Sequence, residues 1–399
     1  MRDAKTGWLK EVSIVIRART PLGWLQLRKD RTKLFTALAG IAFADILIFL
    51  QLGFQDALFK TNTQYPRRLK ADLIMVSSQA KNFNQLFTFP RRRLLQARDI
   101  AGVYSADALY INSVTWRNPQ SREKGSLSIL GQNPDRPAFD LPEVNSQLEA
   151  LKIPDTVLFD KAARGETADL IAQVEMGKAV TTEIGLRTVT IGGMFLLGAS
   201  FADDGALITS DQNFLRFFPK REAGIISMGL ITLEPGAQPE AVKQHLNAYL
   251  AGDVQVFTLE EYIAFETTYL QTNSAIGFIF TIGSFMGFVV GVVVVYQVLS
   301  SDVNSHMAEY ATFKAMGYQD EYLLGVVFEE ALILSVLGFF PSVAISIGLY
   351  QLTARATALA IAMPLSRTLW VLGATFVMCG LSGAIATRRL QAADPADIF

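Results

Sequence analysis

No charged residue lies between Glu266 and Asp302, an uninterrupted stretch of 35 residues. A hydrocarbon core about 30 Å thick is crossed by about 20 helical residues, so the apolar heart of this stretch, Ile276 to Leu299, predicts a membrane-spanning helix. Between Arg367 and Arg388 lie 20 uncharged residues, and between Glu330 and Arg355 lie 24. The second of these runs joins Tyr322–Phe328 into a long helix that carries Pro341 near its middle. A proline there predicts a kink, tolerable where neighbouring helices repair the lost bond. A further span is expected from Leu34 to Phe54, although Asp45 sits inside it at a cost of about 2.5–3.5 kcal/mol on insertion scales. One such run alone is also compatible with a buried helix of a soluble core. Four in one chain of 399 residues, with 18% charged residues against about a quarter in ordinary soluble domains, favour the membrane.

Direction follows from lysine and arginine beside the spans. Arg17, Arg19, Arg28, Lys29, Arg31 and Lys33 precede the first, and Arg388 and Arg389 follow the last. Both termini are therefore expected in the cytoplasm. The expected division is a cytoplasmic N-terminus 1–33, spans at 34–54, 275–299, 322–350 and 368–387, and a large periplasmic domain at 55–273. A cytoplasmic loop at 300–321, a short periplasmic loop at 351–367 and a tail at 388–399 complete it. The region before the first span lacks the apolar core and small-residue cleavage site of a signal peptide. Pro21 to Leu27, followed by basic residues, reads either as an amphipathic helix in the inner interface or as an extension of the span.

The large loop mixes strand and helix signals. Ala71–Ser77 and Gly125–Gly131 read as strands, as does Thr188–Ile191, which is expected to enter a turn at Gly192-Gly193. Ile225–Leu233, Pro239–Leu250 and Val254–Phe257 read as strand, helix and strand, with Pro235-Gly236 supplying a turn. A last helix, Leu259 to about Gln271, is expected to run straight into the second span.

Chemistry is sparse. One cysteine, Cys379, excludes an internal disulfide framework. Two histidines, His245 and His306, leave little for His-based metal or triad sites. A net charge of −1 gives no electrostatic reason to expect nucleic acid. Neither a His-Glu-x-x-His nor a Gly-x-Ser-x-Gly pattern occurs. Asp203-Asp204 with Asp211 admits a cation-site reading, but acidic residues around Gly205 read more readily as solvated turns. Arg67-Arg68 and Arg91-Arg92-Arg93 are compatible with an anionic partner, and more readily with solvated helix faces. No metal and no cofactor are expected on the chain, and the α+β loop reads as a docking module.

No P-loop motif occurs; Gly177-Lys178-Ala179 lacks both the spacing and the magnesium-binding hydroxyl. Energy for any active work is therefore expected from a second polypeptide at the cytoplasmic surface. The candidate contact is Asp302–Gly317, where Val303, Met307, Tyr310 and Met316 fall on or near one helical face and Gly317 is placed to end the helix. Its few basic residues distinguish it from a lipid-surface helix. In the second span, Gly283, Gly287 and Gly291 repeat every fourth residue, which predicts close packing against another span of this chain or of a second copy. Asp45 and Glu330 are expected to face protein rather than lipid.

The stretch Glu309-Tyr-Ala-Thr-Phe-Lys-Ala-Met-Gly317, followed by Tyr322–Gly338 with Glu330, resembles the signature of FtsX/MacB-type ABC permeases. The ending Asp-Pro-Ala within Leu390–Phe399 and the one-plus-three arrangement of spans resemble it too. Ala37–Leu47, Leu52–Asp56 and Gly198–Gly205 are similar to the DevC-like branch, permeases of a glycolipid exporter. The resemblance implies a MacB/FtsX-like fold of the mechanotransmission type, four transmembrane helices with a large α+β periplasmic domain, in the inner membrane. It implies a homodimer working with two copies of a separate ABC ATPase, which binds the ATP and magnesium, a periplasmic membrane-fusion protein and an outer-membrane TolC-like channel. It also implies that Val303, Met307, Glu309, Tyr310, Phe313, Lys314 and Gly317 couple to the ATPase; Tyr310 and Phe313 stand where the family often has aliphatics. The alternative within the same resemblance is a non-transporting signalling device that activates a periplasmic hydrolase; a membrane enzyme is a third reading.

Overall fold

The computed structural model describes residues 22–392, except 186, 201, 251, 273–274 and 358–360. They divide into two compact units. One contains residues up to 54 with 279–352 and 361 onward; the other contains 55–278 with 353–360.

The first unit is helical. A short helix, α1 (Leu22–Lys29), stops at Asp30. The Asp30 carboxylate accepts from the Lys33 amide at 3.2 Å, the contact that opens a helix by satisfying one of its orphan amides. α2 (Arg31–Arg67) follows, its first part in this unit and the part from Gln55 in the other. Helices α9 (Ala275–Ser305), α10 (Met307–Ala315), α11 (Asp320–Thr357) and α12 (Leu365–Ala392) complete the unit. Four of them are long and apolar enough to cross a membrane: Arg31–Arg67, Gly277–Ser305, Leu324–Thr357 and Leu365–Thr387. Pro341 lies inside α11. Leu27 of α1 is buried in the same apolar cluster as Ile41, Leu334 and Met378. A side chain at Gly23 would meet the Glu330 Cγ at 2.8 Å, so α1 packs against the spans. Asp30 separates α1 from α2, so α1 is not a plain extension of the span; it buries Leu27 and leaves Trp24 and Leu25 exposed. Pro21 itself and the C-terminal Asp-Pro-Ala lie outside the described residues.

The second unit is built on a nine-stranded sheet. Its strands are β1 (Leu73–Ser77), β3 (Val103–Arg117), β4 (Lys124–Gln132), β5 (Thr156–Asp160), β6 (Val180–Ile184), β7 (Arg187–Phe195), β8 (Ala206–Ser210), β10 (Met228–Leu233) and β11 (Val254–Thr258). Their order is β11-β1-β10-β3-β4-β8-β5-β7-β6, and β6 pairs back onto the end of β3 through Trp116↔Ile184 and Arg117↔Glu183. Two short strands, β2 (Phe89–Pro90) and β9 (Ile225–Ile226), form a separate pair. The helices are α3 (Arg92–Arg98), α4 (Pro142–Asn145), α5 (Ala168–Glu175), α6 (Asp211–Phe217), α7 (Pro239–Tyr249) and α8 (Leu259–Thr272).

The alternation of side chains along a strand gives this sheet two apolar faces. Tyr110, Phe159 and Phe214 anchor one, and Leu109, Phe139, Phe195 and Tyr262 the other. β3 shows the arithmetic: Leu109 and Tyr110 are both fully buried, on opposite faces. The expected turn at Gly192-Gly193 is instead a bulge inside β7. The register steps from Val157↔Ile191 to Leu158↔Gly193, leaving Gly192 as the extra residue. A side chain at Gly192 would meet the Thr156 Cγ2 at 2.5 Å, so a glycine is needed there for close approach rather than for chain reversal. Pro235-Gly236 does turn, with Gly236 at φ +91°. The junction expected to join the last helix of this unit to the second span lies at 273–274, outside the described residues.

Candidate functional site

The turn between α9 and α11 carries the residues singled out for coupling. Val303, Tyr310 and Val327 form a small buried cluster, with Met307, Phe313 and Tyr322 packed against it. Val303 and Tyr310 are 1% and 2% exposed. Their apolar face is thus covered by the chain's own α11, which leaves the opposite face open, with Ala308, Glu309 and Thr312 exposed on α10. Phe313 stacks edge-on with Tyr318 at 5.5 Å between ring centres and reaches Tyr322 at 6.4 Å. The Lys314 side chain lies outside the described residues. Gly317 has φ +90°, and the Tyr318 amide donates to the Phe313 carbonyl at 3.1 Å while the Met316 amide donates to Thr312 at 3.0 Å. The six-residue closure around a left-handed glycine is the Schellman ending of a helix.

Above this turn the spans are joined by polar contacts. Asp45 is fully buried and accepts from Thr375 Oγ1 at 2.8 Å and from Ser342 Oγ at 3.3 Å, so one carboxylate links α2, α11 and α12. Glu330 is fully buried too, and neither of its oxygens has a hydrogen-bond partner among the described residues. Asp302, 6% exposed, faces it from α9. His306 Nδ1 approaches the Asp302 carboxylate at 3.4 Å. The glycine ladder of α9 rests on α2 and α12 of the same chain: side chains added at Gly283 and Gly287 would meet Gln51 at 2.5 Å and Ile48 at 3.1 Å, and one at Gly291 would meet Met378 and, at 2.9 Å, Ala44.

The other unit departs from the sequence reading at two acidic or basic clusters. Asp203 is not a solvated turn residue but is 5% exposed, because three serine hydroxyls draw it onto the sheet. Arg93 is not on a solvated face either; it is buried and paired with Asp253 at 3.0 Å and with Gln96 at 2.7 Å. Asp211 opens α6 after Ser210, whose side chain accepts from the Asn213 amide at 3.2 Å. Among the described residues no group of three His, Cys, Asp or Glu side chains is arranged to hold a metal ion.

Four long apolar helices and a large α+β unit drawn from the residues between the first and second of them define a multi-pass membrane protein. Residues 281–395 match the family model described as "FtsX-like permease C-terminal". This stretch is similar to the C-terminal domain of FtsX-like permeases. No curated protein matches the chain in sequence. Among solved structures it is similar to the periplasmic region of MacB from Actinobacillus actinomycetemcomitans, with 10% identity over 49% of this chain and 92% of that one and a TM-score of 0.34. It is also similar to the extracellular domain of the noncanonic ABC-type transporter YknZ from Gram-positive bacteria, with 17% identity over 47% of this chain and 99% of that one and a TM-score of 0.30.

Proposed function

We propose that the chain is the permease subunit of an ATP-driven exporter, in the inner membrane with both termini in the cytoplasm. A separate ABC ATPase docks on α10 and supplies the motion. The observation that carries this reading is the FtsX-like match over residues 281–395, which contains α10, the span after it and most of the span before it. Docking falls to the exposed face around Glu309, while Met307, Tyr310 and Phe313 of α10 pack with Val303 of α9 against α11 so that a push on the helix is handed to the spans. Two copies of the chain work with two ATPase subunits, and the α+β unit engages a membrane-fusion protein leading to an outer-membrane channel. The cargo is lipid-like, a glycolipid on the DevC-like likeness of Ala37–Leu47 and Gly198–Gly205.

Purification of the tagged chain from native membranes tests this directly. The expected companions are an ABC ATPase and a membrane-fusion protein, with ATP turnover in the complex and none in the isolated permease. A cell-wall hydrolase bound in place of the fusion protein would establish the signalling alternative, and ATP turnover by the chain alone would overturn the assignment.

A further inference from the structure

A cavity of about 550 Å³ opens between β3, β4 and the loop that carries Leu86 and Phe87. Its polar lining is unusual in its charges. Asp203 accepts from Ser113 and Ser126 at 2.7 and 2.6 Å on one oxygen and from Ser128 at 2.5 Å on the other. Ser113 Oγ and Ser126 Oγ also lie 2.9 Å from each other, so the carboxylate and its hydroxyls form one polar cluster on the cavity wall. No Lys or Arg among the described residues pairs with Asp203; Arg164 goes to Asp204 instead, at 3.5 Å.

Arg221 lines the same cavity. Its guanidinium donates to Ser227 Oγ at 2.6 Å and to the Ile111 carbonyl at 3.4 Å, lies over the Tyr110 and Phe214 rings at 5.9 and 5.6 Å, and meets no carboxylate among the described residues. Its Nε is buried without a partner, and burial lowers its pKa from the ordinary value. A buried or half-buried charge with no counter-ion is expensive unless something compensates it. Here two such charges of opposite sign line one cavity. They are anchored two residues apart on β3, at Ser113 and Ile111, which is about 7 Å along a strand. Phe83, Leu86 and Phe87 supply apolar wall beside them.

We propose that this cavity is a binding site for a small zwitterion, its ammonium group seated on Asp203 and its serines and its phosphate or carboxylate on Arg221. The ligand completes both ion pairs at once, so neither half alone binds as well. The site does not depend on the permease reading: it uses residues 83–88, 111–128, 202–203 and 221–227 of the α+β unit.

The test is calorimetric titration of the full-length chain in detergent with phosphoethanolamine, with ethanolamine and inorganic phosphate as half-ligands. The expected result is saturable binding of phosphoethanolamine at least tenfold tighter than either half. Asp203→Asn should weaken phosphoethanolamine and ethanolamine tenfold or more and leave phosphate unchanged; Arg221→Gln should weaken phosphoethanolamine and phosphate and leave ethanolamine unchanged. A purely structural Asp203 would instead change the melting temperature without this selectivity. If Asp203→Asn does not fold, Arg221→Gln against wild type carries the decision. Short-chain phosphatidylethanolamine separates the two sources of this chemistry: tenfold tighter binding than phosphoethanolamine identifies a lipid headgroup, and equal or weaker binding a free zwitterion. Absence of saturable binding, equal binding of a half-ligand, or unchanged affinity in the variants overturns the proposal.

Discussion

Glu266, on α8, is 1% exposed and lies beside Tyr262. Burial raises its pKa from the ordinary 4.5 to about 7, with the Tyr262 hydroxyl and the Phe83 amide acting in the opposite direction. A carboxyl whose pKa is higher folded than unfolded holds its proton more tightly in the native state. Its contribution to stability is therefore complete below about pH 4.5 and is lost as pH rises through about 7. A shift of this size corresponds to about 3 kcal/mol. The Asp160 carboxyl, also raised by burial although Leu197, Ala162 and Gly198 amides donate to it, adds a term of the same sign. Thermal melts at pH 5 and pH 8 should show the wild-type chain less stable at the higher pH. Glu266→Gln should flatten most of that difference and raise the melting temperature at pH 8; an unaltered pH dependence in the variant would contradict the buried-acid account. At this scale the sequence was least informative. Asp45 stands out as an acid in an apolar run, yet its partners Ser342 and Thr375 are about 300 residues away, and nothing local signals them. The spacing that put Asp203 beside a glycine turn did not reveal the three serines on two other strands.

At the scale of elements, legibility follows how local the cause is. The spans were readable because each is a long apolar run with at most two charges, and β1, β4, β10, β11 and α7 because their apolar runs and flanking turns are written in consecutive residues. β5 and β8 were not; each is five residues long and buried throughout, as β1 also is, so alternation marks none of the three, and β1 was read from its apolar run alone. β3 is long but changes partners along its length, pairing with β10 first and then with β4. At Gly192 the residue type was visible and its use was not, since a bulge and a turn both call for glycine. The packing of α9 on α2 gives a second test. A leucine at Gly287 would force atoms into Ile48, whose Cγ1 lies 3.1 Å from the position of an added Cβ, and overpacking of this kind costs about 1–3 kcal/mol. Gly287→Leu should lower the melting temperature of the detergent-solubilised chain. Gly373→Leu, where nothing lies within 4 Å of an added Cβ, should not. Likewise Thr375→Val, which removes the 2.8 Å donor to Asp45 at constant shape, should destabilise by about 1–3 kcal/mol, and a double variant with Asp45→Asn should recover part of that loss.

At the scale of the whole molecule, the question is what separates a helix that docks a partner from one that merely packs. An apolar stripe at helical spacing identifies a face that must be covered and does not say by what. Val303, Met307 and Tyr310 meet that requirement through Val327 and Tyr322 of the same chain, while Glu309 on the other side is exposed. The two faces therefore predict different defects. Tyr310→Ala empties a buried aromatic site, for which losses of about 3–5 kcal/mol are usual, so it should reduce the thermal stability of the permease whether or not an ATPase is present. Glu309→Lys touches solvent only and should leave the melting temperature within about 0.5 kcal/mol of wild type, while reducing the amount of ATPase recovered with the chain and the ATP turnover of the reconstituted complex. Measuring both quantities on both variants distinguishes the cases. A Glu309→Lys permease that keeps its stability and also keeps its ATPase would mean that the exposed face of α10 is not where force enters, and that the contact has to be sought on another surface of the helical unit.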